Sequence, residues 1–276
     1  MTKPQRIRWS GLTHPGRFRK NNEDSFLALT LEPSGFQYLG KYGEAAIDAY
    51  DFIFAVSDGM GGAKSGEFAS RIAVEKIADL LPAGFRLAAQ GFQADYTEIL
   101  EELYSAIHRE MKSMAFHYEE CRGMGATLTM GWITPEWLHF AHAGDSRLYY
   151  LPENGPLKQV THDHTRAGEL FRQGKIDERA ARRHPERNVL TNVLGGQVTR
   201  VDPQVGSIGL NPRDTFVFCS DGIIDGVRDH RLEALLREPP ARFREMDASE
   251  RLIVDANEES GRDNATALVV QIDPSG

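Results

Sequence analysis

Twice the chain runs an apolar, β-forming stretch into an aspartate followed by a glycine: FIFAVSDGMGG at Phe52–Gly62 and TFVFCSDGIIDG at Thr215–Gly226. A carboxylate at the end of a buried run is costly unless something positive meets it. A divalent cation is one such partner, and Gly59 beside Asp58 lets the backbone approach closely enough for its carbonyl to act as a further ligand. Four more acidic residues share this setting. Glu23 and Asp24 head an apolar segment in NNEDSF, Asp145 lies in the turn of AHAGDSRLYYL, and Asp263 immediately precedes an apolar run in GRDNATALVV. Together with Asp58 and Asp221 they place six carboxylates at predicted strand boundaries. An all-oxygen set of this kind suits a hard cation, magnesium or manganese, better than zinc or copper. Asp-Gly alone is an ordinary turn dipeptide, so the weight lies in the recurrence.

Several cation-binding carboxylates with an arginine nearby suggest phosphoryl chemistry. Two cations roughly 3.5–4 Å apart can lower the pKa of a shared water and neutralise phosphoryl charge during in-line attack. Arg19, in GRFRKNNED, is the candidate to fork onto phosphate oxygens. On an extended segment Arg19 and Asp24 would face opposite ways, so the chain between them must bend if both serve one site. His162 and His164 in THDHT read as loop residues rather than a zinc pair. Cys121 and Cys219 read as reduced and structural.

These residues need a scaffold. The 276 residues, 41% hydrophobic, can bury a substantial core, and no linker or repeat divides them, so one domain over residues 1–276 is expected. FIFAVS, ATLTMGWI, WLHFAHA, SRLYYL, TFVFCS and NATALVVQI read as strands, with TPE turning ATLTMGWI into WLHFAHA as a hairpin. Ser65–Leu81, with Ser65 as N-cap, and Ala94–Phe116 carry apolar residues at three- and four-residue steps and read as amphipathic helices. Thr30–Asp51 is longer than a tight hairpin needs and could be an elaborated turn or a docking element. Hairpins with interspersed helices predict an α+β layered fold with largely antiparallel sheets. A net charge of −8 argues against nucleic acid as a partner. No apolar run approaches the roughly 20 residues of a membrane span and the start lacks an apolar signal core, so a cytoplasmic location is expected.

Taken in order, HPGRFRKNNEDSF, AVSDGMGG, GMGATL, AGDSRLYYL, THDHT, HPERNVLTNVLGG, CSDGIID and GRDNATALVV resemble the motifs of the metal-dependent protein phosphatase 2C family, particularly its bacterial single-domain members. The resemblance covers about Leu12 to Ile272. It implies a four-layer αββα sandwich, two antiparallel β-sheets flanked by helices, with two or three manganese or magnesium ions at one edge. By similarity Asp58 bridges two ions, Gly59 gives its carbonyl to one, and Asp221 and Asp263 hold the other. Glu23 and Asp24 act at the same cluster, Asp145 joins Asp221 at a third ion, Arg19 binds the phosphate, and Asn264 follows Asp263 as a substrate contact. Met60 stands where many eukaryotic members carry a histidine credited with protonating the leaving alcohol, so that proton must come from metal-bound water, another residue or solvent. Thr165–Gly196 matches the flap of bacterial members. Its Arg179, Arg182, Arg183 and Arg187 form either a lip for acidic phosphopeptides or a solvated face paired with neighbours such as Glu178 and Glu186. The implied activity is that of a monomeric Ser/Thr phosphoprotein phosphatase opposing a Ser/Thr kinase. A non-catalytic phosphoprotein-binding module on the same scaffold would be expected to lack one or more metal carboxylates, and none is missing. A nuclease would need a basic groove that this acidic chain does not suggest.

Overall fold

The computed structural model describes residues 6–32, 35–61, 63–89 and 95–274, with residues 63–64 and 82–89 described through their backbone alone. The chain begins with β1 (Arg6–His14), β2 (Asp24–Glu32), β3 (Gly35–Tyr38), β4 (Tyr42–Ala46) and β5 (Asp51–Met60), then α1 (Ala63–Ala89) and α2 (Tyr96–His117). It continues with β6 (Gly125–Ala126), β7 (Leu128–Ile133), β8 (Trp137–Ala143), β9 (Arg147–Leu151), β10 (Lys158–Gln159), α3 (Arg166–Arg172), α4 (Glu178–Arg183), β11 (Leu194–Gly195), β12 (Gln204–Gly209) and β13 (Thr215–Cys219). Then come α5 (Asp221–Gly226), α6 (Asp229–Arg237), α7 (Ala248–Glu259) and β14 (Ala265–Asp273).

One sheet runs β10-β9-β13-β14-β1-β4; the other runs β12-β8-β7-β5, where β5 also pairs with β2 and β6. Among the described residues every strand pairing is antiparallel. The strand period of two sorts side chains between layers. In β5, Phe52, Phe54 and Val56 enter the layer between the sheets, while Ile53 and Ala55 pack under α1 and α2. Both faces being covered, the strand is apolar from Phe52 to Val56 rather than alternating. On the other sheet Phe216, Phe218, Leu268 and Val270 face the inter-sheet layer, and Val217, Cys219, Ala267 and Val269 pack with Ile223, Leu232 and Leu252 of α5, α6 and α7. The four-layer αββα arrangement of the expectation is therefore present.

Several local readings change. Asp58 lies within β5, which continues to Met60. ATLTMGWI is split at Thr127, where β5 changes partner from β7 to β6. Ser65 is no cap, since α1 starts at Ala63; its Oγ donates to Glu120 O at 2.8 Å. The second helix is capped by Asp95, whose Oδ1 accepts the Thr97 N–H at 2.9 Å, and Ala94 lies outside the described residues. The 30–51 segment carries β3 on one sheet and β4 on the other, so it links the two layers. The strand at β1, whose alternation is interrupted by Ser10 and Gly11, is missing from the sequence reading. Among the described residues no helix is long and apolar enough to cross a membrane.

Candidate metal centre

At one end the inter-sheet layer turns polar without any break in the strand period. Two residues beyond Val56 on the same face comes Asp58; two before Phe26 comes Asp24, directly opposite Asp58 in the β2–β5 ladder. On the facing sheet the row Phe216, Phe218 continues to Ser220, and the row Val270, Leu268 continues to Thr266. The sequence thus carries its apolar stripes up to one edge and ends each in an oxygen-bearing side chain.

Those oxygens form a connected frame. Ser220 Oγ and Thr266 Oγ1 donate to Asp24 Oδ2 at 2.6 and 2.7 Å, and the Thr266 N–H donates to Ser220 Oγ at 3.0 Å. Ser220 occupies the N-cap position of α5, yet its hydroxyl serves Asp24 in place of the helix. Where the β5 ladder changes partner, Thr127 takes over: its Oγ1 accepts the Asp58 N–H at 2.9 Å and lies 2.7 Å from Ser146 Oγ, next to Asp145. Asp58 and the Asp145 turn are thereby held to one another through two buried hydroxyls.

The carboxylates so placed repel one another. Burial lifts the Asp58 carboxyl well above its ordinary range, and Asp24, Asp221, Asp145 and Asp263 push it further. Burial likewise raises Asp221 strongly, with Asp145, Asp263 and Asp24 adding to it. Burial raises Asp145 to about 7, with Asp163 adding and Arg147 opposing. Asp24 rises to about 6 through burial, against the two hydroxyl hydrogen bonds. Glu23 is raised by burial, with Arg19 lowering it and Asp263 raising it. As the side chains stand, no three His, Cys, Asp or Glu groups among the described residues close on a common ligand point. Two observations nevertheless fit a cation. Asp24 Oδ1 and Asp221 Oδ1 are buried with no hydrogen-bond partner, and of the five mutually repelling carboxylates only Asp263 has an ion-pair partner, Arg19, among the described residues. The donors are oxygens, as hard cations require.

The recurring Asp-Gly pair also has a packing reason. A Cβ at Gly59 would stand 1.9 Å from Gly66 O of α1, and a Cβ at Gly222 would stand 1.9 Å from Asn264 O. In each pair the glycine lets a neighbouring backbone carbonyl lie against the chain beside the aspartate. Gly222→Ala is accordingly expected to lower stability by about 1–3 kcal/mol through forced backbone displacement; thermal unfolding reads this, and an unchanged Tm would refute the close-packing account.

Arg19 sits on the irregular loop between β1 and β2, where the chain does bend before Asp24. Its Nη2 donates to Asp263 Oδ2 at 2.7 Å, and its side chain is half exposed. Asn264 differs from the expected substrate contact. It is 5% exposed, its Oδ1 accepts the Glu23 N–H at 2.8 Å, and its Nδ2 donates to Pro15 O and Asn21 O at 3.0 and 2.9 Å. Those bonds take up both N–H donors and bind the carboxamide oxygen, so Asn264 positions the loop that carries Arg19 and Glu23. Met60 ends β5 opposite Gly125, half-buried. His164 is buried, its ring stacked on His142 at 4.8 Å and its Nδ1 accepting the Gly144 N–H at 3.2 Å, so it is no surface loop residue. Sequence reasoning missed Ser220, Thr266, Thr127 and Ser146; the available signal was their phase with the apolar rows.

Comparison with known proteins identifies the family. A family model for protein phosphatase 2C matches residues 43–254. The serine/threonine phosphatase Stp of Listeria monocytogenes is 30% identical over 262 residues, covering 95% of this chain and 94% of its own. Among solved structures, the S. agalactiae serine/threonine phosphatase superposes with a TM-score of 0.79 at 26% identity, covering 96% of this chain and 98% of that one. The catalytic domain of the serine/threonine protein phosphatase PstP in complex with two manganese ions gives 0.70 at 27% identity, covering 98% and 99%. With the family model spanning most of its length and relatives aligned nearly end to end, the chain belongs to the protein phosphatase 2C family.

Proposed function

We propose a metal-centred mechanism for this protein serine/threonine phosphatase, with phosphoserine and phosphothreonine proteins as substrates and two or three manganese or magnesium ions held by Glu23, Asp24, Asp58, the Gly59 carbonyl, Asp145, Asp221 and Asp263. The observation that carries the proposal is the gathering of like-charged carboxylates with unpartnered buried oxygens on Asp24 and Asp221. The manganese-bound PstP relative supports the choice of ion. When bound, such ions supply an activated water and neutralise charge on the phosphoryl group.

The chain's own residues do the rest. Arg19 spends one nitrogen on Asp263 and is half exposed, leaving N–H groups of the kind with which a guanidinium forks onto two phosphate oxygens. Asn264 holds its loop in place. Thr127 and Ser146 fix Asp58 relative to Asp145, and Ser220 and Thr266 fix Asp24. Hydrolysis adds water across the ester, breaking the phosphorus–oxygen bond to the Ser or Thr side chain and releasing inorganic phosphate and the free alcohol. Met60 donates no proton.

The test is hydrolysis of p-nitrophenyl phosphate and a phosphothreonine peptide, with manganese and with chelator. Turnover that persists in chelator would reject the metal mechanism. In the same assay Arg19→Ala is expected to cut kcat/KM roughly 10- to 100-fold, the scale of a charged hydrogen-bonded pair, while calorimetric manganese binding is retained; unchanged kinetics would remove Arg19 from the site.

A further inference from the structure

Beside the carboxylate cluster lies a cleft of about 1070 Å³, bounded on one side by the 165–196 segment with α3 and α4 and on the other by α5 and the start of α6. Asp145 and Asp221 stand on its floor, so the cleft opens directly from the candidate metal centre. Its size exceeds the roughly 300–1,000 Å³ usual for small-molecule sites and suits a length of extended chain.

The charges lining it do not balance. Arg147 is tied to Asp163 by two hydrogen bonds of 2.8 and 2.6 Å; Arg182 pairs with Glu178 at 2.9 Å and Asp229 at 3.3 Å; Arg187 stands 4.0 Å from Asp225. These pairs account for every lining carboxylate apart from Asp145 and Asp221, which the metal centre claims. Four exposed arginines are left, Arg172, Arg179, Arg183 and Arg228, whose side chains make no ion pair or hydrogen bond among the described residues. They come from three separate elements, α3, α4 and the residue before α6, yet line one cleft. In a protein of net charge −8 this concentration is local. Of the two sequence readings of the flap arginines, Arg182 and Arg187 follow the paired one and Arg179 and Arg183 the open one. Phe171, 47% exposed, offers an apolar ring among them.

We infer that this cleft is a second anion subsite, in which Arg172, Arg179, Arg183 and Arg228 receive carboxylates or an additional phosphate carried by the same polypeptide as the scissile phosphate. The inference rests on the phosphatase reading above. It makes this enzyme selective for phosphoproteins with acidic or multiply phosphorylated flanks.

The experiment is steady-state kinetics with manganese at low ionic strength on four kinds of phosphothreonine peptide: flanks of alanine, of aspartate, of lysine, and with a nearby phosphoserine. Placing the aspartates N-terminal in one peptide and C-terminal in another reads which flank the subsite receives. At least one acidic peptide should exceed the alanine peptide by about fivefold or more in kcat/KM, the scale of one or two exposed charge pairs, and the gain should fade as salt rises. A larger gain for the phosphoserine peptide assigns the subsite to phosphate; equal gains assign it to acidic side chains in general. The acidic-to-lysine ratio should fall toward one in R179A/R183A and invert in R179E/R183E. Equal kcat/KM across the peptides in the wild-type protein, or a preference that survives charge reversal, overturns the subsite while leaving the phosphatase intact. Absence of turnover on every peptide removes the phosphatase reading and the subsite with it.

Discussion

Asp58→Asn is expected to cut kcat/KM with manganese by at least about 10³-fold and, in chelator, to make the protein harder to unfold. The two effects have one cause. Asp58 is crowded by Asp24, Asp145, Asp221 and Asp263, and its partial burial adds to the cost of its charge. An amide of nearly the same shape removes the charge all four oppose, so the metal-free fold gains stability. The same loss takes away the carboxylate that the resemblance places between two ions, and transition-state charge goes uncompensated. A side chain needed mainly for packing would lose on both counts. Thermal unfolding in chelator and kinetics on p-nitrophenyl phosphate read the two separately, and a lower Tm for the chelated variant would refute mutual repulsion at this site.

The second large effect is on pH dependence. Stabilisation by manganese, taken as Tm with the ion minus Tm in chelator, should be small near pH 5 and climb through pH 6 to 7. The sign follows from the raised carboxyls. Asp24 titrates at about 6 and Asp145 at about 7 in the fold, against an ordinary value of 3.8. A raised carboxyl favours the fold below its unfolded value, and that contribution is lost as pH rises to the folded one. Moving Asp24 alone from 3.8 to about 6 corresponds to roughly 3 kcal/mol. A cation needs the deprotonated form, so it competes with protons below that window and offsets the repulsion above it. His142, lowered to about 3, and His164 and His139, lowered to about 4, all chiefly by burial, act oppositely: their contribution is lost as pH falls from about 6.5. They lie in the same fold with and without the ion and cancel in the difference. A manganese effect that is flat from pH 5 to 8 would exclude proton competition at the cluster.

The acidic residues were legible because carboxylates recur at the ends of apolar runs, and the layered fold because helical stripes are interspersed among the hairpins. Other features were hidden for physical reasons. Gly59 reads as giving room for close backbone approach, but the contact it allows with Gly66 O is created only by the packing of α1 on β5. Ser220 and Thr266 are unremarkable polar residues until two sheets bring them onto one carboxylate oxygen from across the chain. Asn264 follows a predicted ligand, and the family resemblance implies a substrate contact; its actual partners, backbone groups of a loop more than two hundred residues earlier, have no local signature. β1 escaped notice because Ser10 and Gly11 interrupt its alternation, although it is fully paired along β14.

That pairing bears on when the enzyme first becomes competent. β14 lies between β13 and β1, and it brings Thr266 to Asp24 and, through Asp263 and Asn264, completes the surroundings of Arg19 and Glu23. A chain emerging from the ribosome at about 5–20 residues per second exposes Glu23, Asp24, Asp58 and Asp145 long before residues 263–273. Until those residues dock, β1 and β13 lack their common partner and Asp24 lacks Thr266. The Asp24–Asp58 ladder and the Thr127–Ser146 link lie wholly within earlier residues, so it is the setting of Asp24, Arg19 and Glu23 that waits for the last strand.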